Sequence, residues 1–444
     1  MIGKALAAAA LATAPAWLPG RVVALRVKIF SLVNGEDTVT IPGERVGVED
    51  FRRVYTDPAA NGRSKGAALS DLFWYWLAPG PEVHQEHLEP GPRYDEVAKC
   101  TRHILVKSKK DSEVLTRRVA AHVLDRLDVG AGGLVRLRDE MMPIWAELYY
   151  ELVFDEPCPP EARDLIVANA DDVVSALKCV RPRNMRRRAR LTKYLRRRLA
   201  DVPHPLPAAL TPEEQVYYLQ GTFFNTAVVQ MSEAMAHLLM IVAQHEDVQR
   251  RLAENPGDDA YLDRVIDEGL RTYPLFGIAH RISTADIELA DLTIPAGTVL
   301  CFSYPDFHHA GFERPDEFDP ERWCSHATQA KKDVNFIPFG VAQNRACPAR
   351  GLAPLTMRVV AREVLRRFSL ASTAGHTRSI PNRGPVLLTP RGARRKVLPL
   401  AWLAVRDRWE DVWRSLAQLV FGTYMVLDAR KKALCSTYFA GGNS

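Results

Sequence analysis

Cys347 stands where a run of small and polar residues gives way to an apolar helical stretch, within the segment 336–352. That setting offers a sulfur both backbone N–H groups and a helix N-terminus, which favour the thiolate. A thiolate so placed can act as a nucleophile, or it can bind a soft metal such as haem iron. Arg345, two residues earlier, can hold an anionic group nearby through its forked donors. Upstream, Glu268 and Arg271 stand one helical turn apart, a spacing that permits an ion pair. His84, Glu86 and His87 suggest a metal site, but no further ligand is placed beside them and the segment reads as a lid loop. His308 and His309 are no better placed.

The elements that must position these residues are mostly helical. The 444 residues are 47% hydrophobic and 25% charged, which excludes disorder, a collagen-like chain and a coiled-coil rod. That length can bury a large core and a big cofactor with it. Lys+Arg 59 against Asp+Glu 53 leaves +6, too small a surplus to imply nucleic acid. Seven dispersed cysteines without a CxxC exclude a disulfide scaffold or zinc ribbon and indicate a reducing compartment. Apolar residues at three-to-four spacing predict helices near 95–107, 112–128, 136–154, 160–178 and 184–200. The glycine-rich run 130–133 reads as a hinge loop between two of them. Thr211, Pro212 and Glu214 form a capping-box signature, and nothing breaks the helix before His245. It spans about 34 residues, or about 50 Å. Being apolar nearly all round over 217–242, it runs through the core. Short β-prone runs at 287–289, 292–294 and 298–302 predict a small sheet, 305–350 looks irregular, and 351–369 is helical again.

Three segments invite a surface role. Residues 1–20 are apolar over 5–18, with one lysine and Ala-x-Ala sites. They fit a signal peptide, a short anchor or an alanine-rich helix packed on the protein, and fall short of the ~20 apolar residues of a bilayer span. The run 181–198 holds ten arginines and lysines and no acid. It fits either docking to a membrane surface or acidic partner, or a solvated helix face with Met185, Leu191, Tyr194 and Leu195 inward. Near the C-terminus, Trp402, Val405, Trp409, Val412, Trp413, Leu416, Leu419 and Val420 make an apolar stripe at helical spacing. Such a stripe predicts an extra helix packed inward on the body, the alternative being a docking surface for a partner or membrane.

The cysteine loop resembles the haem-binding loop of cytochromes P450, Phe-x-x-Gly-x-Arg-x-Cys-x-Gly. Phe339, Arg345 and Cys347 match in kind, with Ala349 and Ala342 where that family has glycine. Phe339 lies eight residues before the cysteine, one more than the family spacing, so the loop carries an extra residue around 341–344. Glu268 with Arg271 matches the family's Glu-x-x-Arg, and Arg322, between Glu321 and Trp323, matches its later arginine motif, in the family's order. The resemblance implies the P450 fold, mainly α with a small β region in a single large domain. It divides the chain into an apolar N-terminal segment (1–20), the P450 domain (21–400) and a C-terminal helical extension (401–444). It also implies haem b (iron protoporphyrin IX) with Cys347 as iron ligand. Phe339, Arg345, Arg281 and His103 are then cofactor contacts, and Glu268, Arg271 and Arg322 a buried structural triad. Removing one partner of that triad would leave an unpaired buried charge, at a cost of roughly 3–5 kcal/mol.

One motif departs from the family. The long core helix normally carries an acid and an alcohol that relay protons to iron-bound dioxygen. Counting back from Glu246 and forward from Thr211 places Gln230 at the alcohol and Val229 at the acid. A rival register, one turn earlier, puts Asn225 and Thr226 there. The activity implied is a monooxygenase hydroxylating a hydrophobic small molecule, in a biosynthetic pathway, with electrons from a ferredoxin or flavoprotein reductase. The alternatives are a catalyst of the same fold that uses peroxide, isomerises or dehydrates, and a non-catalytic haem-binding or scaffold protein. The expected setting is cytoplasmic, with peripheral membrane or protein contact through the N-terminal segment or C-terminal helix left open.

Overall fold

The computed structural model describes residues 2–35, 38–324, 334–377, 379–394 and 397–442. Helix α1 (Ile2–Asn34) runs without a break across residue 20. Strand β1 (Thr38–Ile41), the short α2 (Phe51–Thr56) and α3 (Ala68–Leu77) follow. Five helices then fall close to the predicted segments: α4 (Pro92–Leu105), α5 (Lys109–Leu124), α6 (Leu137–Phe154), α7 (Pro160–Leu177) and α8 (Met185–Arg198). Their starts have local causes. Pro92 and Pro160 take first positions, where a missing N–H costs nothing, and the side chains of Ser108 and Asn184 accept from the first turns. The glycine run does separate α5 from α6, but Gly133 also begins a strand, β2 (Gly133–Arg136).

The capping box at Thr211 is formed, the Glu214 carboxylate accepting from Thr211 N at 2.8 Å. The helix it opens is not α-helical throughout, which corrects the sequence expectation. Helix α9 (Pro212–Leu219) widens into a π-helical segment, Gln220–Ala227, and resumes as α10 (Val228–Gln244). The wider turn lets Phe223 and Phe224 both bury while Gln220 and Asn225 reach sideways to Asn169 on α7, at 3.1 and 2.6 Å. Each large apolar side chain fully buried along this helix, such as Phe224 or Leu239, contributes about 1.5–3 kcal/mol.

Helices α11 (Glu246–Glu254) and α12 (Asp259–Thr272) lead to strands β3 (Ile278–Ile282), β4 (Ile287–Glu288), β5 (Thr293–Ile294) and β6 (Val299–Ser303), then to α13 (Tyr304–His309). Part of the irregular stretch, residues 325–333, lies outside the described residues. Helix α14 (Leu352–Arg367) and strands β7 (Phe368–Ala371) and β8 (Pro385–Pro390) precede α15 (Leu398–Lys432) and α16 (Leu434–Ala440). In one sheet β6 is central, parallel to β1 and antiparallel to β3; in a second, β8 lies between β2 and β7. Helix α6 lies along α10, and α5 along α14, so a four-helix core stands behind the Cys347 loop.

Two surface expectations change. In α8, Leu191, Tyr194 and Leu195 are buried but Met185 is exposed at the helix's first residue, ahead of the packed turns. Arg188 is not solvated: it is buried, bonded to Asp172 at 2.6 Å and to the Ala78 carbonyl at 2.6 Å. Helix α15 packs along α1 and onto α3, with Met425, Val426 and Ala429 in one cluster with Leu72, Tyr75 and Trp76, while Leu403 joins the main core. The predicted inward stripe mostly points the other way. Trp402, Val405, Trp409, Trp413, Leu416 and Val420 are exposed, because small and polar residues such as Ser415, Gln418 and Gly422 make the close helix contacts.

Candidate functional site

The Cys347 loop is held by backbone bonds to itself and by Asn344 to the rest of the protein. Cys347 N donates to the Phe339 carbonyl at 2.9 Å, and Val341 and Asn344 close a tight turn across the stretch where the extra residue was expected. Buried Asn344 donates to the carbonyls of Tyr55 at 2.8 Å and Ala60 at 3.3 Å. Arg345 then takes a left-handed conformation, φ 54°, with its side chain on Asn61 and Tyr94 outside the loop. The thiol does not have the environment read from sequence. Burial pushes Cys347 up to about 11, and the Ala349 N–H only partly offsets this. The helix that should have helped starts at Leu352, past the first turn over which its dipole acts. A cleft of about 1160 Å³ opens beside the sulfur, lined in part by Asn61, Tyr94, Arg102, Arg345, Arg350 and Arg358.

Three guanidiniums gather on one side of the loop. Arg63 pairs with Glu86 and donates to the His280 carbonyl at 3.2 Å. Arg281 is buried over the Tyr55 ring, 4.3 Å from its centroid. Arg345 donates to Asn61 at 2.6 Å and lies over Tyr94 at 4.0 Å. Burial, with Arg63 close by, lowers the Arg345 guanidinium to about 9, and Glu86 is the neighbouring carboxylate that opposes this. Burial works to raise the Glu86 carboxyl, but Arg63, His84, Arg345 and Arg281 outweigh it and hold it below the usual range. Among the described residues, Arg63 Nε, Arg281 Nε and Arg345 Nη2 find no acceptor, and His280 Nε2 finds no partner. Buried, unsatisfied cationic donors are costly unless an anion meets them. A group carrying two carboxylates on a flat apolar body would satisfy these donors, and the propionates of haem fit that description.

The core helix presents Thr226 from within its π-helical segment, bonded to His84 Nε2 at 2.5 Å. The Glu86 N–H donates to His84 Nδ1 at 3.1 Å, so Nδ1 is the acceptor. Burial keeps the ring below its ordinary titration range. A neutral His84 therefore carries its proton on Nε2 and donates it to Thr226 Oγ1, which leaves the threonine hydroxyl proton available to another acceptor. Gln230 lies in α10 beyond the π segment and is half-buried. His84 and His87 are interior side chains, not parts of an exposed lid, because Pro81–Val83 turns the chain inward against Gly221, whose missing side chain leaves room for the His84 ring.

Behind the loop, Glu268 is fully buried and accepts five bonds. Arg271 donates twice, at 2.9 and 2.8 Å, Arg322 and Trp323 once each at 2.9 Å, and Asp319 N at 3.1 Å. Phe339 packs against the main core. His103 is not at the site. It lies on the exposed face of α4 with its ring 6.0 Å from that of His204, while Arg102 beside it lines the cleft. Sequence reading missed Arg63, Asn61 and Tyr94, none of which stands in a motif. It quoted His84 and Glu86 but looked for a metal there.

Residues 178–397 match the family model for cytochrome P450. Among curated proteins, cytochrome P450 3A12 of Canis lupus familiaris is 31% identical over 155 residues, 31% of this chain and 31% of that one. A cyclooctat-9-en-7-ol 5-monooxygenase of Streptomyces melanosporofaciens is 27% identical over 195 residues, 40% of this chain. These alignments thus span 31% and 42% of the relatives' own lengths. Solved structures superpose over more of the chain. A zebra fish cytochrome P450 structure with abiraterone gives a TM-score of 0.63 at 17% identity, covering 78% of this chain and 92% of that one. A 6-coordinated cytochrome P450 from Thermus thermophilus gives 0.58 at 21%, covering 76% and 91%. The cysteine loop, the charged residues around Glu268 and the four-helix core thus occur together in a fold shared with these proteins, and residues 178–397 belong to the cytochrome P450 family.

Proposed function

We propose that this protein is a haem-thiolate monooxygenase that oxidises a hydrophobic small molecule in a biosynthetic pathway. The observation that carries the reading is the trio of buried Arg63 and Arg281 with half-buried Arg345, each with an unsatisfied buried donor on one side of the Cys347 loop. Arg281 and Arg345, with Arg63, would hold the two propionates, and Cys347 would give its thiolate to the iron. Bound there, the haem supplies oxygen activation, with the thiolate's electron density favouring O–O cleavage. The chain's own part is positional and protonic. Asn344 fixes the loop, Thr226 holds a hydroxyl proton that His84 orients, and Gln230 adds a hydrogen-bonding group one turn further along. Arg102, Lys109 and Arg350 at the cleft favour an acidic electron donor, a ferredoxin or flavoprotein reductase.

The deciding measurement is the optical spectrum of purified holoprotein, ferric and then reduced under carbon monoxide. A strongly red-shifted thiolate-type Soret band is expected, and Cys347→Ala should abolish it. A histidine-type band, or purification without haem, would remove the basis for the assignment. Hydrophobic candidates that shift the ferric spin state would then narrow the substrate class.

A further inference from the structure

An eleven-residue repeat runs along the outward face of α15. Trp402, Trp413 and Tyr424 stand eleven apart, as do Val405, Leu416 and Leu427, and Trp409 and Val420. All of them are exposed, Trp413 by 70%. Eleven residues make about 3.67 per turn, so on an ideal helix the stripe drifts only about 20° per repeat. From Trp402 to Leu427 it therefore keeps to one side over about 38 Å. A left-handed helix pair would need a seven-residue repeat instead. The eight members are uncharged, with half-exposed Arg406 on the same side 3.9 Å from Glu410, and the aromatic members are of the kinds that settle at the headgroup boundary of a bilayer. Its surroundings are cationic. Arg394, Arg408 and Lys431 are exposed, and α1, packed along α15, exposes Arg21 and Lys28 beside Trp17, Leu25 and Val27 and contains no acid.

We propose that α15, with α1 beside it, seats the protein on an anionic lipid bilayer, the helix lying in the membrane plane. Apolar area supplies the insertion, to about 5–10 Å, and the cationic flanks supply the preference for negative headgroups. A second copy of this chain is the poorer occupant, because self-pairing would bring the same cationic flanks together.

Full-length protein and the variant Trp402→Gln/Trp409→Gln/Trp413→Gln are compared by flotation with vesicles of phosphatidylcholine, with and without phosphatidylglycerol. The parent should float with the anionic vesicles, less so in high salt, and the variant should partition at least roughly tenfold less. Matched melting curves show whether the variant is folded; should it not be, Val405→Asn/Val420→Asn tests the same face through smaller side chains. A parent that stays unbound, or a variant that binds as well, overturns the proposal. So does a dimer in solution that the substitutions dissociate, which would give the face to a second copy.

Discussion

Glu268 is the position whose loss the structure prices most directly. Its two oxygens take five donors, two of them on Arg271 and one on Arg322, all out of water. Glu268→Ala leaves two guanidiniums without their carboxylate and the Trp323 N–H without its acceptor. The expected loss is about 3–5 kcal/mol. For a chain of this length the unfolding entropy near the midpoint is about 0.9 kcal/mol per kelvin, so the midpoint should fall by roughly 4 °C. Glu268→Gln should be nearly as harmful despite its matching shape. The amide can leave its oxygen at the three-donor side, but its NH2 then faces Arg271 Nε and the Trp323 indole, both donors. Replacing Glu268, Arg271 and Arg322 together by methionine should recover much of the loss, since apolar groups leave no charge unmet. The assay is differential scanning calorimetry of the four proteins. Should Glu268→Ala melt within a degree of the parent, or the triple variant melt lowest, the account of stranded charge is wrong.

Further outcomes can be checked separately. Burial, with Asp407 and Glu410 nearby, raises the Asp411 carboxyl to about 6. An unfolded aspartate ionises near about 3.9, so the folded chain binds more protons in between and stability falls as pH rises across that window. Asp411→Asn should flatten that fall and melt above the parent at neutral pH; superimposable pH profiles would refute it. Asp71, buried, accepts from Cys435 N at 2.8 Å, Ser436 N at 3.1 Å and Ser436 Oγ at 2.7 Å, and so ties α16 to α3. Asp71→Ala should cost about 1–2 kcal/mol and make the bonds after Arg430, Lys431 and Lys432 readily cut by trypsin, an increase that partial digestion will show or deny.

What could be read from sequence was what local chemistry decides. Thr211 with Glu214 marked the start of the core helix because a capping box is complete within four residues. The helices from α4 to α8 were visible because each buries a periodic face. The π-helical turn was not visible, since it depends on Asn169, a partner two helices away. The orientation of α15 was misjudged for a related reason. Apolar periodicity identifies a face without saying whether protein covers it, and here Ser415 and Gly422 take the inner side. At the site, Cys347, Arg345 and Glu268 stood in motifs. Arg63 and His84 owe their places to Glu86 and Thr226, and pairings over such separations leave no local signature.

Among the described residues the edge strand β1 pairs with β6, and α1 packs along α15, so both N-terminal elements depend on segments made much later. During synthesis at about 5–20 residues per second, β1 waits on the order of ten to fifty seconds for its neighbour. Arg63 and Arg281 come together only when that sheet closes, because residue 62 bridges to residue 282 of β3. The pocket is thus assembled late. A chain arrested on the ribosome before residue 299 should leave the amides of 38–41 open to exchange.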